Sequence, residues 1–155
     1  MTAEQQAPLF SIEKLYVKDL SIEAPNTPQI FLETEPPSVE LQLRTEAKGL
    51  GDSLFEASVT VTVTATVGEK SAFLVEVTQA GIFQLRHIPE ESVEPLLAVA
   101  CPNLLFPYAR EVVSDATLRA GFTPVVLQPV NFEQLYMERQ RQQTASASAH
   151  ETPIQ

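Results

Sequence analysis

The sequence predicts an α+β fold in which a four-stranded antiparallel sheet carries its helices on one face. Three observations lead there. From Phe55 to Val67 "FEASVTVTVTATV" alternates apolar and polar residues without a slip, the period of two of an antiparallel strand with one wet face. "VELQLRTEA" before it and "SAFLVEVTQAGIFQLR" after it are joined to it by the short turns "KGLGD" and "GEK". Beyond residue 89 the apolar spacing becomes helical.

The elements follow in chain order. A first strand is expected from Phe10 to about Glu23, with a bulge near Leu15 to Val17 where neighbouring apolar residues break the alternation. Pro25, Asn26 and Pro28 end it, and an irregular crossover carries Ile30, Phe31 and Leu32. The second strand sets Val39, Leu41 and Leu43 on one face, and Gly81 in the fourth marks a bulge or bend. "PEESVEPLLAVA" opens a helix that Pro95 interrupts early, and a longer helix is expected from Asn103 as N-cap to about Ala120, before Gly121. A last helix starts at Asn131, with Gln134 as its capping partner. Residues 1–9 read as a flexible N-terminus, 10–138 as the folded domain and 139–155 as a disordered polar tail.

A chain of 155 residues, 44% apolar, has the length of one domain with its own core. A formal charge of −10 repels phosphate backbones and anionic lipid, which sets nucleic acid and membrane surfaces aside as partners. One cysteine forms no internal disulfide. "MTAEQQAPLF" lacks the features of a signal peptide, and no stretch approaches the roughly 20 apolar residues of a bilayer span, so a reducing cytoplasm is the expected location.

Apolar residues cover much of the circumference of the long helix. One sheet covers only one side of a helix, so the other side is expected against a second copy of the chain. That oligomer interface draws on Leu104, Leu105, Tyr108, Val112, Val113 and Ala116.

No catalytic constellation emerges. Cys101 would need a base, and the two histidines, His87 and His150, lie far from it in sequence, so Cys101 reads as packing. Neither a metal-ligand spacing nor a phosphate-binding glycine loop is present, so no cofactor is expected and binding is a better class than catalysis. Ile30, Phe31 and Leu32 on the crossover, with Val39, Leu41 and Leu43, form either an external apolar groove or the closure of the core. Asp19, Glu23 and Glu76 are either a docking patch or solubilising charge.

Four blocks, "LYVKDLSIEAPNTP", "VTVTATVGEKSAFLVEVTQAGIF", "ACPNLLFPYARE" and "PVNFEQLY", resemble the SecB export chaperones in order and separation, from about Phe10 to Met137. The resemblance implies a cytosolic, ATP-independent chaperone, a tetramer built as a dimer of dimers, that holds unfolded precursor proteins for the SecA motor and the SecYEG channel. It implies that Asp19, Glu23, Leu74 and Glu76 receive the basic, zinc-containing C-terminal segment of SecA, the zinc belonging to the partner. It also implies a client groove of Ile30, Phe31, Val39, Leu41, Leu43, Leu135 and Tyr136. Glu35 stands where the family places a tryptophan. Two other readings are a SecB-like chaperone of a toxin-antitoxin system and a carrier or enzyme using the groove as a small-molecule pocket.

Overall fold

The computed structural model describes residues 6–150, with side chains described to residue 147. Strands β1 (Leu9–Glu23), β2 (Ser38–Gly51), β3 (Leu54–Val67) and β4 (Lys70–Arg86) form one antiparallel sheet in the order β1-β4-β3-β2. The last three are joined by hairpins, whereas the segment after β1 crosses to the opposite edge of the sheet. β1 slips register between Ile12 and Lys14 and between Val17 and Asp19, on both sides of the irregularity expected in it. Gly81 is not a bulge: it pairs regularly with Ala57 and Leu15. A Cβ there would meet the Phe83 ring at 2.9 Å and the Lys14 carbonyl at 3.1 Å, so glycine lets the bulged β1 approach closely.

The crossover contains a single 3-10 turn, Gln29–Leu32. Its bond from the Ile30 N–H to the Asn26 carbonyl, 2.8 Å, accompanies an Ile30 side chain only 6% exposed. Ile30 therefore closes the core and leaves the expected client groove.

From Glu90 to Arg119 the chain is one unbroken helical run of α1 (Glu90–Pro95), a π turn (Leu96–Ala100) and α2 (Cys101–Arg119). Pro95 withholds an N–H and crowds the carbonyl four residues back, and the helix widens into the π turn instead of stopping. Asn103 accordingly lies inside α2, exposed, and is no N-cap. By length and composition this 30-residue run would suit a bilayer, contrary to the expectation that no stretch comes near. Here it packs on the sheet: Cys101, Leu105, Ala109, Val113 and Ala116 share a buried cluster with Val59, Val61, Val63, Val75 and Val77. Rows four residues apart on α2 thus meet the inward faces of β3 and β4. Leu105, Val113 and Ala116, expected at an oligomer interface, are instead the chain's own core.

α3 runs Phe132–His150, and the Asn131 carboxamide accepts the Gln134 N–H at 2.9 Å, the expected cap. It does not end at Glu138. The arginines, glutamines and alanines of the expected tail are good helix formers, and residues 141–147 are helical and exposed on every side. Residues 151–155 of that tail and 1–5 of the expected flexible N-terminus lie outside the described residues.

On the face away from the helices, Glu56 of β3 clamps three other positions of the sheet. It accepts the Tyr16 hydroxyl and lies 2.8 Å from Lys18 Nζ on β1 and 3.7 Å from Lys48 Nζ on β2. The bonds from Lys18 and Tyr16 hold its carboxyl below the usual range, while burial, then Glu56 itself, pushes the Tyr16 phenol up to about 12.

Candidate functional site

Strand register decides which side chains share a surface. Each residue of β2 on the helix side pairs with a core residue of β3: Val39 with Ala65, Leu41 with Val63, Leu43 with Val61. The helical run covers β3 and β4 but leaves the β2 edge open, so Val39 and Leu41 are exposed and Leu43 is half-buried. α3 borders that edge. Leu43, Ala98, Phe132, Leu135 and Tyr136 surround a recess there, Leu135 being 40% exposed. Arg139 reaches Thr45 Oγ1 at 3.4 Å. At the other end Phe31 packs on Phe122, ring centres 5.1 Å apart, and remains half-exposed. Gly121, at φ +94°, lies under the Phe31 ring, where a Cβ would come within 3.1 Å.

Six of the seven expected groove residues therefore lie along β2, α3 and the crossover with solvent access, Ile30 being the exception. A neighbouring cleft of about 490 Å³ lies between β2, α1, the π turn and α3, with Ala47, Val93, Leu97, Tyr136 and Gln140 among its lining. The sequence reading missed Val93, Leu97 and Ala98 because Pro95 looked like a helix end, and Arg139 and Gln140 because they lay in the expected tail.

Asp19, Glu23, Leu74 and Glu76 all lie on the opposite face. Asp19 pairs with Thr78, Ser21 with Glu76 and Glu23 with Leu74, which puts the four in three successive cross-strand rows of β1 and β4. Glu76 Oε2 accepts the Thr62 hydroxyl at 3.0 Å. The apolar edge and the acidic patch are thus on different sides of one sheet.

A third surface was not legible as such. The helix-side residues of β1, Ile12, Val17, Leu20 and Ile22, are exposed because the helical run stops short of that edge. Leu104 and Tyr108 of α2 are exposed too, and Val112 is half-buried. Gln79 pairs with Val17 on this side of the sheet, and its buried Oε1 has no hydrogen-bond partner among the described residues.

Cys101 is fully buried, and burial pushes its thiol up to about 12, leaving it protonated and inert. Cys101→Ser is expected to leave any binding activity intact and to cost about 1–3 kcal/mol for a buried hydroxyl, read as a lower unfolding midpoint. Loss of binding in a folded variant would restore a role for the thiol. Among the described residues no group of three or more His, Cys, Asp or Glu is arranged to hold a metal ion.

Comparison with known proteins agrees with this architecture. The family profile described as "Preprotein translocase subunit SecB" matches residues 3–143. The chain is 60% identical over 152 residues to "Protein-export protein SecB" of Dechloromonas aromatica, covering 98% of this chain and 99% of that one. It is 59% identical to the protein of the same name from Aromatoleum aromaticum, with both chains covered in full. Among solved structures, a SecB-like chaperone of Mycobacterium tuberculosis in complex with a peptide from an antitoxin superposes with a TM-score of 0.66 at 17% identity, over 78% of this chain and 90% of that one, a likeness of fold alone. The chain belongs to the SecB family of protein-export proteins.

Proposed function

We propose that this protein works in the cytoplasm as a tetramer, a dimer of dimers, that binds unfolded precursor proteins along the β2 edge and passes them to SecA through the acidic outer face. The observation that carries this reading is the apolar surface of exposed Phe31 on the crossover, exposed Val39 and Leu41 and half-buried Leu43 on β2, and exposed Leu135 on α3. Such a surface takes up apolar side chains by burial alone. Each leucine- or phenylalanine-sized side chain leaving water contributes about 1.5–3 kcal/mol before ordering costs, so several must act together to hold a disordered chain. Repetition around a tetramer raises the effective concentration of grooves and lengthens retention. A folded client hides those side chains and is released, so selection by folding rate needs no catalytic residue and no nucleotide.

The uncovered β1 stripe, together with Leu104, Tyr108 and Val112, supports the assembly. A second copy seated there would cover this apolar surface and could supply a donor to Gln79. Identities of 49–60% to proteins named for export, against 17% to the antitoxin-bound chaperone, favour the export role over the toxin-antitoxin role.

Reversing charge on the outer face tests the reading. Asp19→Lys with Glu76→Lys is expected to weaken binding of the SecA C-terminal segment by tenfold or more, most strongly at low salt, and to leave retention of an unfolded client unchanged. Titration calorimetry measures the first and a refolding-delay assay the second. Equal loss of both would contradict a separate docking face.

A further inference from the structure

The acidic face does not stop at β4. Its rows continue across the whole sheet, and one ends on a cation: Arg44 of β2 pairs with Thr60 of β3, Thr60 with Thr78 of β4, and Thr78 with Asp19 of β1. The two threonine hydroxyls between them are bonded to each other at 3.0 Å. In the adjacent row Gln42, Thr62, Glu76 and Ser21 repeat the crossing. Gln42, Arg44, Thr60, Thr62 and Glu76 line one open groove. Among the described residues Arg44 is tied down only by Glu46 on its own strand, at 3.2 Å with both side chains about two-thirds exposed. An exposed pair of this kind is readily exchanged for another. Lys48, the next cation on that face of β2, is already engaged with Glu56.

We infer that this groove, together with the row that continues past it to Asp19 on β1, takes an extended peptide lying across the strands, with a basic residue at the Asp19 and Glu76 end and a carboxylate at Arg44. The inference rests on the reading of the outer face as a docking surface and adds to it the polarity and spacing of the docked segment. Strands about 4.8 Å apart put the β1 and β2 ends of the row about 14 Å apart. An extended chain advances about 3.3 Å per residue, so cation and carboxylate are separated by about four residues. The Thr60 and Thr62 hydroxyls are engaged with Thr78 and Glu76, so the Gln42 carboxamide, beside Arg44 on β2, is the group that offers hydrogen bonds to the peptide backbone, and these need no particular side chain there.

The test uses synthetic peptides of about twelve residues, fluorescently labelled, each with a lysine pair and one glutamate four positions away, compared by anisotropy with the same peptide carrying glutamine. Wild-type protein is expected to prefer the glutamate peptide about two- to fivefold, the range of an exposed ion pair. Arg44→Ala is expected to abolish the preference and Arg44→Glu to reverse it. Moving the glutamate next to the lysines should remove the preference in wild-type protein as well. The inference is overturned if Arg44→Ala keeps the preference or if spacing has no effect. Should Asp19→Lys with Glu76→Lys abolish binding of both peptides while Arg44 variants change nothing, the docking face stands and the role of Arg44 falls. If neither set of variants alters binding, both fall.

Discussion

Replacing Leu41 and Leu135 together by glutamate is expected to lower affinity for an unfolded client on the order of 100-fold while leaving the fold intact. Both side chains are partly open to solvent in the folded chain, 43% and 40%, so their loss removes little from the core. What is lost is the surface they would bury against a client, about 1 kcal/mol or more for each half-exposed leucine. Two carboxylates in a groove that must lose its water add a desolvation penalty of similar or greater size. In the proposed tetramer the same groove would recur in every protomer, and the loss would multiply through avidity. Delay of refolding of a slow-folding precursor, with circular dichroism as the check on folding, reads the effect. A variant that retains clients as well as wild type would remove the β2 edge from the account.

Val17→Asp with Leu20→Asp is expected to break the proposed assembly. The two residues are 45% and 49% exposed in the single chain, on the helix side of an edge strand, so a charge there is hydrated in the monomer. Buried against another copy it is not, and an unpaired buried charge costs several kcal/mol. An interface with two-fold symmetry meets each substitution twice. Sedimentation is expected to show a smaller species than wild type at the same concentration. An unchanged mass would mean that this stripe is not the contact.

How much of this was legible in the sequence depended on whether a local pattern was enough. The strict alternation from Phe55 to Val67 placed β3 and its neighbours, and Asn131 announced α3 through a cap needing only Gln134. Pro95 misled because proline stops a helix only when the helix cannot widen, and a π turn is not written in residue spacing. Residues 139–147 misled differently: little apolar surface says that a segment lacks a core, not that it lacks helix, and α3 extends with its sides in water. Apolar periodicity also marked Leu105, Val113 and Ala116 without saying which side of α2 the sheet would take. The uncovered β1 stripe was hidden for the converse reason. Ile12, Val17, Leu20 and Ile22 look like any strand's core face until the helix is seen to miss that edge. The acidic residues were visible, but only the register of β1 with β4 puts Asp19, Glu23, Leu74 and Glu76 on one surface.

The most direct test of the account is light scattering after size separation, on the protein alone and with a slow-folding precursor kept unfolded. The expected result is a particle of four times 17.1 kDa that shifts to a stoichiometric complex with the unfolded precursor and ignores the same precursor once folded. A monomer indifferent to unfolded protein would contradict both the groove and the uncovered β1 stripe.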